Sequence, residues 1–225
     1  MKLVPFPSIH LLSVALALGA SLLSARAQIP WATEPFSRQN KFEAYGIGQY
    51  LHQGDIDYPG LYGGRVKVTM DDTGLGGFGM AWHFNDFFSV HGDFMLGPAT
   101  FTAQSPGGPP ITLGQNAFLQ TGRVNLDYNI INRRLTPFIT AGIGYQYLEV
   151  EQNTPYNRYY YYNNYYDNYY SESDFTWNVG AGLRWNVTDN FFIKVTGGAQ
   201  WLQYQDAQNV TSQIEGFFTI GWMFP

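Results

Sequence analysis

From residue 41 to the end, the chain repeats one theme: runs of about ten residues with a bulky apolar side chain at every second place. Gly, Ala, Thr, Asn or Gln stand between them. A period of two marks strands with unlike faces, because successive side chains on a strand point to opposite sides. Phe78, Met80, Trp82 and Phe84 alternate with Gly77, Gly79, Ala81 and His83. After Asn85-Asp86-Phe87, Phe88, Val90, Phe94 and Leu96 alternate with Ser89, His91, Asp93 and Met95, so the short connection predicts a tight hairpin. Later runs set Val124, Leu126 and Tyr128 against Arg123, Asn125 and Asp127, and Ile139, Ile143 and Tyr145 against Thr140, Gly142 and Gly144. Phe175, Trp177, Val179 and Trp185 oppose Thr176, Asn178, Gly180, Arg184 and Asn186; Ile193, Val195 and Trp201 oppose Lys194, Thr196 and Gln200; Phe218, Ile220, Trp222 and Phe224 oppose Thr219, Gly221 and Met223. The weakest run is the first, where Tyr45 and Ile47 alternate with Ala44, Gly46 and Gly48.

These runs predict eight strands, near 41–51, 73–84, 87–97, 116–128, 138–150, 174–187, 191–204 and 213–224. Their connections alternate between long and short, the plan of a transmembrane barrel with short periplasmic turns and longer outer loops. The 225 residues suit one domain, since all-β barrels reach about 250 residues as a unit. Charged residues are only 13% and aromatics 18%, whereas soluble domains carry about 25% charged residues. A net charge of -5 without any Lys/Arg cluster excludes the electrostatic footprint of a nucleic-acid binder.

Lys2, the apolar stretch from Ile9 to Leu23 and Ala25-Arg26-Ala27 read as a secretory signal peptide, residues 1–27, cut after Ala27. An uncleaved anchor is the alternative, but the stretch is short of the roughly 20 residues a spanning helix needs. Residues 28–40, with two prolines, are expected to form a poorly ordered periplasmic lead-in, and 41–225 the barrel. The absence of cysteine removes disulfides, thiolate metal sites and a lipid-bearing cysteine. If the mature chain lies in a membrane, it must cross with strands.

An eight-stranded barrel can also be a soluble, lipocalin-like carrier. Such a carrier meets water with a face rich in Lys and Glu, whereas the polar positions here are mostly small enough to fill a narrow interior. The other face is bulky and nearly charge-free, with aromatics near strand ends where they suit the headgroup level. The large side chains are therefore expected to point to lipid. In hydrocarbon every backbone group needs a partner within the protein, and only a closed sheet lacks free edges. The expected fold is an all-β, eight-stranded antiparallel up-and-down transmembrane barrel.

The signal peptide, the eight runs, Leu135-Thr136-Pro137-Phe138 entering a Gly-rich strand and the aromatic last strand resemble the OmpA/OmpX/OmpW-type bacterial outer-membrane barrels. The resemblance spans essentially the whole mature chain and is specific for architecture, not for one family among adhesins, envelope-stabilising proteins and narrow channels. It implies outer-membrane lipid as surroundings, with periplasmic chaperones and the barrel assembly machinery as partners during biogenesis. That machinery usually reads a terminal aromatic residue, and here Phe224 is followed by Pro225. The peptidoglycan-binding domain of some relatives is not expected. A self-closed barrel needs no second copy, so a monomer is expected.

Ser89, His91 and Asp93 lie on one strand face, a set that invites a nucleophile, base and orienter as in lipid-modifying barrel enzymes. Alternate residues stand roughly 7 Å apart along a strand, too far for triad hydrogen bonds of about 2.6 to 3.2 Å. Polar lumen filling is the preferred role and no enzyme is expected. Arg123, Arg184 and Lys194 share the inward face with Asp93 and Asp127, and unpaired charges there would be costly. With Ser89 and His91 they are expected to form a network closing the lumen, a residual hydrophilic pore being the alternative. The tract 155–170 holds Tyr159, Tyr160, Tyr161, Tyr162, Tyr165, Tyr166, Tyr169 and Tyr170 in an outer loop. Tyr offers a large amphipathic contact surface at low entropy cost, which suits an extracellular ligand, while a low-complexity extension of the wall is the plainer account. The Gly-x-Gly pairs lie within strands rather than phosphate-cradling loops, and His52, His83 and His91 lack metal-site spacing, so no cofactor or metal is expected.

Overall fold

The computed structural model describes residues 33–59, 65–104, 111–151, 169–202 and 210–225. The expected signal peptide lies outside them. So do the first residues of the lead-in and Tyr159, Tyr160, Tyr161, Tyr162, Tyr165 and Tyr166 of the Tyr-rich tract.

The chain runs through β1 (Phe42–Gln53), β2 (Ile56–Pro59), β3 (Arg65–Met70), β4 (Thr73–His83) and β5 (Phe88–Gln104). It continues as β6 (Ile111–Asn129), β7 (Leu135–Glu151), β8 (Tyr169–Asn186), β9 (Phe191–Leu202) and β10 (Thr211–Phe224). Eight of these, all but β2 and β3, pair antiparallel around a ring: β1 to β4, each strand to the next through β10, and β10 back to β1. Closure leaves the ring without an edge, which a hydrocarbon environment requires.

The short turns have local causes. The Asn85 side-chain oxygen accepts hydrogen bonds from the Phe87 and Phe88 N–H groups, both 2.8 Å, turning β4 into β5. The Thr188 hydroxyl oxygen accepts from Asn190 N and Phe191 N at 3.3 and 2.9 Å between β8 and β9.

Alternation orders the wall as well. Phe78, Met80, Val124, Ile143, Phe175 and Val195 are exposed on the outside, while Ser89, Asn125, Thr176 and Thr219 are buried within. Trp177 and Trp185 both face outward on β8, eight residues and so about 27 Å of strand apart at about 3.4 Å per residue. A tilt of about 40° makes that about 20 Å of height, close to the apolar band of about 25 Å on outer-membrane barrels. Stacked or edge-on pairs mark both borders: Phe42 with Trp82 and Phe191 with Trp222 on the short-turn side, Trp177 with Trp201 on the other.

Three features depart from the sequence reading. First, β5, β6 and β8 run well past the expected ends at 97, 116 and 174, β7 passes its expected end at 150 only to Glu151, and β2 and β3 occupy part of the expected loop 52–72. Where a hairpin extends beyond hydrocarbon, both of its faces can be polar, so alternation can fade while the hydrogen-bond ladder continues. Pro98 stands beyond Leu96, the last β5 residue paired with β4, where a strand tolerates a proline. Second, the middle of β1 is inverted relative to the rule that large side chains point outward, although Phe42 and Tyr50 at its ends obey it. Ala44, Gly46 and Gly48 face out, and Tyr45 is 6% exposed inside. Tyr45 pairs with Gly79 on β4 and Gly221 on β10, where an added Cβ would strike Tyr45 itself, so two glycines make room for one ring. Third, the interior is not polar throughout. Toward the long-hairpin end, Leu51, Leu75, Met95, Leu119, Leu148 and Phe217 form an apolar cluster joined by Met70 of β3.

Candidate functional site

Apart from Arg38, which lies in the segment before β1, the buried charges described line the lumen. Ser89, His91, Asp93, Arg123, Asp127, Arg184 and Lys194 are each at most 9% exposed, held inward by the strand phase. All but Ser89, for which no side-chain partner is described, fall into three groups along the barrel.

At mid-height Lys194 Nζ lies 2.9 Å from Asp127 Oδ2, and His91 Nε2 lies 3.0 Å from Asp127 Oδ1. His91 Nδ1 is 3.1 Å from Asp93 Oδ2, and the Tyr45 hydroxyl donates to Asp93 Oδ1 at 2.7 Å. The His91–Asp93 contact corrects the spacing argument. The strand rise separates the backbones, but both side chains lean along the strand and meet. No triad results, because both His91 nitrogens face carboxylates and no described contact joins Ser89 to His91.

Toward the long-hairpin end, Arg123 Nη1 donates to both Glu215 oxygens at 3.0 and 2.8 Å, and its guanidinium lies 4.5 Å from the Phe217 ring centroid. Gln49 Nε2 donates to Glu215 Oε2 at 2.9 Å. Above them Gln200 donates to Gln146 and to Gln213, which in turn donates to Gln53. Toward the short-turn end, Arg184 pairs with Glu43, His83 Nε2 lies 2.5 Å from Glu43 Oε1, and Arg184 Nε donates to Asn186 Oδ1 at 3.1 Å.

Charges nearly balance among the described buried residues: Arg38, Arg123, Arg184 and Lys194 stand against Glu43, Asp93, Asp127, Asp174 and Glu215. A cavity of about 30 Å³ remains at mid-height, bordered by Tyr45, Asp93, Arg123, Lys194 and Glu215. That is room for a water or two. Sequence reasoning missed Glu43, Tyr45, His83, Glu215, Arg38 and the glutamines. Glu215 was legible, being in phase with Thr219 and Gly221, whereas Glu43 and Tyr45 were hidden by the inverted phase of β1.

Residues 33–41 cross the short-turn mouth as a strap, although a poorly ordered lead-in was expected. Asp86 Oδ1 accepts from Ser37 Oγ, Arg38 N and Gln39 N at 2.9, 2.7 and 3.2 Å. Pro35 bridges to Arg133, and Arg134 N donates to Glu34 O at 3.1 Å. Phe36 is buried beneath the cations of Arg38, Lys41 and Arg134, and Asn40, at φ 58°, turns the strap into β1. Burial, with Arg184 nearby, lowers the Arg38 guanidinium to about 9 against the pull of Glu43 and Asp86, so it stays cationic at neutral pH. Burial pushes the Asp86 carboxyl up, but the Arg38 N–H, the Ser37 hydroxyl and the Gln39 N–H outweigh it and hold the group below the usual carboxylate range.

Residues 13–216 match the outer membrane protein beta-barrel domain family. Among solved structures the fold is similar to the outer membrane protein OprG from Pseudomonas aeruginosa, at 13% identity and TM-score 0.57, covering 84% of this chain and 98% of that one. It is also similar to Neisserial surface protein A, at 10% identity and TM-score 0.50, covering 80% and 96%. At these identities the likeness is one of fold. A sequence comparison with curated proteins returns no match.

Proposed function

The chain belongs to the outer membrane protein beta-barrel domain family, and from that premise we propose that it is a non-enzymatic barrel that strengthens the bacterial cell envelope and displays long outer hairpins. Its surroundings are the bacterial outer membrane. The observation that carries the proposal is the filled interior. Among the described residues, ion pairs, glutamine amides and apolar side chains interleave across the lumen, and the cavity among the mid-height charges has room for about 30 Å³. A passive channel for small solutes would need these buried pairs to part and their charges to be solvated separately. The non-enzymatic role is supported by His91, whose two nitrogens are both held by carboxylates, so it has none to activate Ser89.

The outer hairpins are the display element. β7 and β8 rise beyond the membrane band and are joined by the Tyr-rich tract, for which we propose contact with an extracellular carbohydrate or protein surface. The purified, folded protein in planar lipid bilayers is expected to show no discrete conductance steps. Reproducible unit steps would favour the channel instead.

A further inference from the structure

We propose that a cleft on the short-turn rim, between the strap and the β8–β9 turn, binds the headgroup of a phospholipid bearing a primary ammonium, the chemistry of phosphatidylethanolamine. The cleft is open to solvent, has room for about 450 Å³ and is lined by Glu34, Arg134, Trp185, Val187, Thr188 and Asp189. That size falls within the range of about 300–1,000 Å³ common to small-molecule sites.

Its polar floor alternates in charge. Arg134 Nε lies 3.0 Å from Glu34 Oε2, and Arg134 Nη2 lies 2.7 Å from Asp189 Oδ1. Each carboxylate keeps its second oxygen for another donor, and the guanidinium keeps Nη1 for a phosphate oxygen. One guanidinium against two carboxylates leaves the cleft one negative charge in excess. An anionic headgroup is disfavoured there, whereas a zwitterion can set its phosphate on Arg134 and its ammonium on a flanking carboxylate. A quaternary ammonium has no N–H to donate and would satisfy neither oxygen.

The apolar side fixes the source. Trp185 and Val187 are 36% and 37% exposed on the outer wall at the lower aromatic border, where an interfacial Trp sits beside headgroups. A lipid lying against the wall thus brings its headgroup to the cleft, which a free solute would have to find from solution.

The test uses delipidated full-length protein in detergent, titrated with phosphatidylethanolamine, phosphatidylcholine or phosphatidylglycerol and read by native mass spectrometry. Soluble phosphoethanolamine serves as competitor. Phosphatidylethanolamine should be retained about tenfold more strongly than the other two, the ratio worth one charge-assisted hydrogen bond. The Glu34→Gln/Asp189→Asn double variant, altered at two exposed carboxylates, should lose that preference while keeping heat-modifiable gel migration. Equal retention of all three lipids, a preference for phosphatidylglycerol, or an unchanged preference in the variant would overturn the site and leave only general annular lipid. Displacement by phosphoethanolamine as effective as by the lipid would overturn the membrane source.

Discussion

Arg123 shows how much a single side chain carries in this lumen. It is 5% exposed, donates to both oxygens of Glu215 and covers the Phe217 ring. Removing it strands a buried carboxylate, whereas removing both charges leaves nothing to solvate. Arg123→Met is therefore expected to lower stability by about 3–5 kcal/mol, and Arg123→Met with Glu215→Gln to restore most of the loss. Urea unfolding in lipid vesicles followed by tryptophan fluorescence checks both; a single variant as stable as the native protein would contradict paired burial. The sequence marked Arg123 as inward, yet its partner lies 92 positions away, and only the width of the closed ring brings them together.

The strap is an element whose role lay outside local pattern. Residues 33–41 have no periodicity, and their order comes from the turns they touch: Asp86 after β4, Arg133 and Arg134 after β6, and Asp189 through Arg134. Asp86 is half-buried and receives three donors on one oxygen, so Asp86→Ala is expected to weaken strap docking by about 1.5 kcal/mol, the low end for hydrogen bonds to a charged group. Its folded carboxyl sits below the unfolded value of about 3.9. The stabilisation is thus complete above that pH and is lost as the pH falls through the folded value. Hydrogen exchange of residues 33–40 should rise in that acidic window for the native protein. In an Asp86→Asn variant it should already be raised at neutral pH and change little on acidification. Identical profiles would remove Asp86 as the anchor.

For the molecule as a whole, the membrane band and the outer hairpins are separable parts. The ring closes through β1 and β10 and does not depend on the tip joining β7 to β8. Deleting residues 156–170 is therefore expected to leave heat-modifiable migration intact and to reduce attachment of whole cells to carbohydrate or protein surfaces. Unchanged attachment would assign that tract no adhesive role.

Alternation alone determined that this chain forms strands, how many cross the membrane and which face of most of them meets lipid, because side-chain direction on a strand is a local property of period two. It misled at β1, where the small residues face out and Tyr45 turns in over Gly79 and Gly221, since there the neighbours decide which face has room. The partners Glu43, His83 and Glu215, the apolar cluster behind the outer hairpins and the strap were decided by tertiary structure. The lumen partners depend on contacts between residues as far as 166 positions apart, which exist only once the first and last strands have paired and set the diameter of the ring, and the strap on turns as far as 100 positions along the chain.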